Sequence, residues 1–244
     1  MNTSSRSWRE LVLAGLVVGR LTAQSGISGD PDELYRRREN LASAARAADL
    51  WAQRSTSDFG AAWKLARACS WLGTHEPEQD RRGTLERGVR AGENAIRLAS
   101  ERPEGHFWLA ANMGRLAESF GILQGLKYRG RIKDELERVL KTDPAWEGGS
   151  ADAALGQWYA TVPRLFGGSR QKAEQHLRRA LEHDANNTSA LSFLGEMLAA
   201  DGRTAEARVL LRRAVAAPFD PEWEPEDREF KQKSAALLKK IPGE

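Results

Sequence analysis

Histidine, cysteine, carboxylate clusters and glycine-rich turns are where this chain could do chemistry, and their spacing argues against each chemistry in turn. The four histidines are His75, His106, His176 and His183. No two stand one helical turn apart, as a metal site on a helix face would need. Cys69 is the only cysteine and lies in LARACSWLG among small and apolar neighbours. It reads as a buried small hydrophobe, because a nucleophile needs a base and an orienting partner. LFGGS, residues 165–169, is the stretch most like a phosphate loop. It lacks the Gly-Lys-Ser/Thr ending and a preceding strand, so Gly167 and Gly168 read as a turn and Ser169 as a helix N-cap. The acidic run DPEWEPEDREF, residues 220–230, gathers carboxylates around Trp223. In an extended loop they are not held close enough for acid–base catalysis, and they read as acids favouring a helix N-terminus. These features point to no enzyme, no cofactor and no metal.

A binding face is the better candidate. In GHFWLAANMGRLAESFGIL, Leu109, Met113, Leu116 and Phe120 make an apolar stripe at helical spacing, which is core. Ala110, Ala111, Gly114, Ala117 and Gly121 make a small-residue side, expected where a neighbouring helix comes close. The remaining line is Trp108, Asn112, Arg115 and Ser119, with Glu118 beside it. An Arg, an Asn and a Trp on one helix face suit a groove for a polar or anionic ligand, and equally an exposed face carrying an Arg115–Glu118 pair. Trp158 and Tyr159 are adjacent and cannot both point inward; Tyr159 holds a core position, which leaves Trp158 nearer the groove.

What must position this face is a helical repeat. Gly168, Ala173, Leu177, Arg178, Arg179 and Ala180 reappear at an offset of 34 as Gly202, Ala207, Leu211, Arg212, Arg213 and Ala214. That period is one tetratricopeptide (TPR) unit, a helix hairpin that stacks on its neighbours. Leu191, Leu194, Gly195 and Leu198 then supply the large, large, small, large positions of a first helix, with Gly195 at a close helix contact. The fold class expected is all-α: a TPR-like α-solenoid of antiparallel helix pairs with a C-terminal capping helix, regular over about residues 147–218. Ten helices are expected, near 32–54, 58–72, 79–100, 104–123, 127–141, 147–161, 169–184, 187–201, 203–217 and 225–240. Pro103, Pro144 and Pro221 are each expected to end a second helix.

Composition fits one soluble domain over residues 32–244: 41% hydrophobic, 29% charged, 37 basic against 34 acidic residues. A net charge of +3 gives no case for nucleic acid. The runs Arg36–Arg38 and Arg178–Arg179 read as solvated faces with i,i+4 pairs. Arg6 and Arg9 precede the apolar run Leu11–Gly19, and Ala23 follows Leu21. This resembles a signal peptide over residues 1–23, followed by a linker over 24–31. The run is too short for an integral membrane span, so an extracytoplasmic (periplasmic) location is expected. No cysteine stands where a lipoprotein signal would carry one.

Three stretches carry a further resemblance: GHFWLAANMGRLAESFG to KTDPAW, ALGQWYATVPRLFGGSRQKAEQHLRRALEHDAN, and PFDPEWEPEDREFKQKSAALL. They resemble the T component of TRAP-type transporters over about residues 100–240, and are more distantly similar to the regulator-of-microtubule-dynamics proteins. The resemblance implies an extracytoplasmic, non-catalytic helical protein that forms a homotrimer. It also implies a periplasmic solute-binding protein as partner and a channel for a small ligand. The alternative is a general TPR scaffold that binds a peptide segment of an envelope protein.

Overall fold

The computed structural model describes residues 29–241 apart from position 121. The signal-like segment 1–23 and most of the linker lie outside the described residues. Among the described residues there are eleven α-helices, one short 3-10 turn and no strand. A lead-in pair, α1 (Pro31–Arg36) and α2 (Leu41–Ala52), precedes four hairpins: α3 (Phe59–His75) with α4 (Glu78–Leu98), α5 (Pro103–Ser119) with α6 (Ile122–Thr142), α7 (Trp146–Thr161) with α8 (Arg170–His183), and α9 (Thr188–Ala200) with α10 (Thr204–Ala216). The last helix is α11 (Glu224–Lys240).

Three of the hairpins close where a glycine on the first helix meets a leucine on the second. A Cβ placed on Gly156 would lie 2.5 Å from Leu177 Cγ, and one on Gly195 2.7 Å from Leu211 Cγ. Gly73 meets Leu85 in the same way. Those leucines are fully buried, so the contact that sets each hairpin's spacing also seals its core. Gly202 turns the last hairpin at φ 78°, a region where a side chain is strained. Ser169 caps α8 by accepting the Lys172 N–H at 3.3 Å, as its sequence context requires.

Three expectations change. The helix expected over 32–54 is two helices, because Asn40 leaves the helix and its side chain accepts the Ser43 N–H at 3.1 Å to start α2. Pro103 does not end α4, which stops at Leu98; it opens α5, where its fixed φ suits a first turn. Arg38 is not part of a solvated face: it is 1% exposed. By contrast Arg178 pairs with Glu174 one turn away at 2.6 Å, as expected of an exposed face.

The C-terminal helix packs on α9 and α10, as a solenoid cap must. Its first turns and the loop before them also reach back across the concave side to the N-terminal helices. Glu226 pairs with Arg38, Glu222 with Arg67 at 2.5 Å, and Glu229 with His75 at 2.5 Å. The two ends of the solenoid are thereby joined.

A groove closed by the C-terminal helix

The first helices and the start of α11 enclose a groove of about 970 Å³. Ala110, Ala111, Gly114 and Ala117 of α5 form one wall, and Ala153, Ala154, Gln157 and Trp158 of α7 the other. A Cβ on Gly114 would meet nothing within 4 Å. The small-residue side of α5 is therefore the open wall of the groove, not the close helix contact expected of it. The close contact is on the opposite side, where the glycines belong to α4. A Cβ on Gly92 would lie 2.8 Å from Leu109 Cβ, and one on Gly88 would overlap the Asn112 side chain.

That reversal decides the placement of each candidate residue. Asn112 is fully buried between α3, α4 and α5, its amide donating to the Ala66 carbonyl at 2.9 Å and the Trp108 carbonyl at 2.7 Å. It ties helices together and does not face the groove. Ser119 is exposed and lies off the groove wall. Trp108, Arg115, Glu118 and Trp158 do line the groove. Arg115 and Glu118 stand 3.6 Å apart and half exposed, a geometry that contributes little to stability. Trp158 donates its indole N–H to the Arg129 carbonyl at 3.1 Å, which holds the ring at the wall. Phe166 beside it sits under the Arg129 guanidinium at 5.4 Å.

At the other end of the groove Arg67 is part of the lining, and Arg38, which is not, is buried with it in one aromatic frame. Arg67 is 6% exposed and lies over Tyr35, Trp108 and Trp223 at 4.8, 5.7 and 5.1 Å. Arg38 lies over Tyr35 and Trp71 at 4.9 and 5.5 Å. Burial of a cation is costly unless a carboxylate faces it. Here Glu222 and Glu226 do so, and the Glu222 carbonyl adds a 2.7 Å bond from Arg38. Trp223 stacks on Trp108 at 5.8 Å and donates to Glu147 at 3.0 Å. Glu147 adopts φ 47°, unusual for a residue with a side chain, at the start of the helix that brings its carboxylate to the indole. Burial pushes the Tyr35 hydroxyl up to about 12, so it stays protonated beside these charges. Glu222, Glu226 and Glu229 are therefore counter-charges for the N-terminal helices, beyond any effect on the α11 dipole.

His75 extends the closure. Its Nδ1 lies 2.7 Å from the Trp71 carbonyl and its Nε2 2.5 Å from Glu229, so both ring nitrogens face acceptors. Burial opposes the charged ring, but these two acceptors outweigh it and raise the pKa. Spacing in the sequence gives Arg38 a solvated face and Glu222 and Glu226 a place at a helix N-terminus, and pairs neither with the other. One signal was present: Arg67 interrupts the small and apolar run LARACSWLG, and a charge on a buried stripe requires a partner.

Residues 30–242 match the family model described as Regulator of microtubule dynamics protein 1-3. No curated protein matches the chain. Among solved structures it is similar to TTC0263, a thermophilic TPR protein of Thermus thermophilus, with 21% identity and a TM-score of 0.62. The match covers 85% of this chain and 97% of that one, and at this identity it establishes the TPR-like fold.

Proposed function

The chain belongs to the family described as Regulator of microtubule dynamics protein 1-3, and from that premise we propose that it is a non-catalytic interaction protein whose groove receives a segment of a protein partner. A TPR-like fold supports a protein-binding scaffold. The family is named for regulating microtubule dynamics; the class of partner, protein, is carried over to this chain, and the microtubule is not. The observation that carries the reading is the open wall of α5, where Gly114 has space in front of it while the opposite side of the helix packs closely on α4. Filling that space tests it. Gly114→Trp should fold normally and lose partners recovered by crosslinking in native cells. Recovery of the same partners by both proteins contradicts the reading.

A second reading draws on the size of the groove. About 970 Å³, walled by alanine, glycine and aromatic side chains, is within the range of small-molecule sites. In this reading the chain is exported, forms a homotrimer and passes a small apolar ligand to or from a periplasmic solute-binding protein. Crosslinking followed by mass spectrometry separates the two. A solute-binding protein favours the transporter reading, and other envelope proteins favour the scaffold. Fusion of residues 1–28 to alkaline phosphatase tests export directly, since phosphatase activity appears only outside the cytoplasm.

A further inference from the structure

We infer that the concave surface around Arg38 and Arg67 is a docking surface for an acidic, aromatic segment of a protein partner, and that the chain's own residues 219–230 occupy it in the partner's place. The inference rests on the proposal that the groove receives a protein segment, and it adds the chemistry of that segment.

Both guanidinium groups are almost wholly buried, with side chains 2% and 8% exposed. Arg38 bonds to Glu222 and Glu226, and Arg67 bonds to Glu222 and, within the N-terminal helices, to the uncharged Tyr35 hydroxyl. The remaining faces of both cations are covered by aromatic rings. Among the described residues no carboxylate on α1 to α5 pairs with them, so both cations are neutralised by residues 222 and 226 alone. A segment that docks here covers both cations again, and a buried cation without a counter-charge is costly. Whatever replaces the C-terminal segment must therefore bring carboxylates of its own.

The part of the occupant that precedes α11 is held loosely enough to exchange first. Glu222 is 52% exposed on its side chain, and buried Arg67 Nε has no partner. Residues 217–223 before α11 are not helical, and Phe219 within them is 45% exposed. α11 packs on α9 and α10, and residues within the segment share in this: the Thr188 hydroxyl donates to buried Asp227 at 2.5 Å, and Phe230 packs on Phe193 at 5.3 Å. The spacing of the occupant defines its replacement: two carboxylates four residues apart, as Glu222 and Glu226 are, with an aromatic ring after the first to stack on Trp108.

The probe is a labelled peptide of residues 219–230, FDPEWEPEDREF, measured by fluorescence anisotropy against the full chain. The variant carrying Glu222→Gln and Glu226→Gln should bind it at least tenfold more tightly than the wild type. A peptide with the same two substitutions should bind at least tenfold more weakly. If the folded double variant takes up neither peptide, or both equally, the inference is wrong. A second measurement needs no variant. Millimolar peptide should speed hydrogen exchange at residues 220–230 of the wild type and leave α8 unchanged; unaltered exchange overturns the inference. A double variant that dimerises and excludes the peptide identifies a second copy as the occupant, which also overturns it. Native crosslinks at Gly114 that persist when the peptide fails would leave the proposed function standing and remove only this inference.

Discussion

Two glycines in helix interiors should respond oppositely to the same substitution. Gly114→Ala removes the conformational cost of glycine in a helix, and the new methyl enters open space. It should stabilise the protein by about 0.5–1 kcal/mol. Gly195→Ala gains the same helix preference, but its Cβ would lie 2.7 Å from both Leu211 Cγ and Cδ2. Leu211 is fully buried and has nowhere to retreat, so overpacking costs about 1–3 kcal/mol and outweighs the gain. The two variants should differ by about 2 kcal/mol, the middle of that overpacking range. At about 2–4 °C per kcal/mol for a protein of this size, their melting midpoints should lie roughly 4–8 °C apart. Calorimetry and urea titration followed by circular dichroism both read this. If Gly114→Ala lowers the midpoint as much as Gly195→Ala, the small side of α5 is packed against another element and the groove is misplaced.

Three further outcomes follow from the ion pairs and the thiol. Glu222→Gln strands a buried cation, whereas Arg67→Met leaves a carboxylate that is half in water; the first should cost about 1–2 kcal/mol more in urea denaturation, and equal losses would contradict the account. The hydrogen bond to Glu135 raises the His106 pKa, and the Ser100 carbonyl at 2.8 Å receives the other ring nitrogen. Its contribution is therefore complete below its ordinary value of 6.5 and is lost as pH rises through the raised folded value. Burial opposes the Glu135 charge, but His106 outweighs it and lowers that pKa, so the acid side of the window closes only below 4.5. His106→Gln should flatten the alkaline loss of stability, and an NMR titration placing His106 at or below 6.5 would refute the assignment. Cys69 is fully buried, and burial pushes its thiol up to about 12. It should resist DTNB at mildly alkaline pH until the protein unfolds; stoichiometric reaction of the native protein within seconds would show that α3 is not sealed.

The repeat was legible where both partners of a contact recur in sequence. Gly195 and Leu211 lie within one hairpin, and the offset of 34 displays the second of them as a recurring position. The faces of α5 were not legible, because two lines of small or polar residues share the helical period. Which line is buried is decided by Gly88 and Gly92 on another helix. Asn112 was accordingly placed on the groove, when α4 closes over it. Trp158 lines the groove, but the reason given for it does not hold: Trp158 and Tyr159 are both buried, their rings edge to face at 4.9 Å. The closure by α11 was hidden for a different reason: Arg38 and Glu226 are 188 residues apart, and Arg67 and Glu222 are 155 apart. Local reading gives such acids a local role at their own helix terminus. Only the curvature of the whole solenoid brings them to the cations.

The claim that matters most is that partners enter the groove beside α5. A photo-crosslinking residue at position 114, compared in native cells with one at exposed Val209 on α10, tests it most directly. The account predicts a discrete adduct from position 114 and none from position 209. Adducts from 209 alone would place the working surface on the outer helices and contradict it.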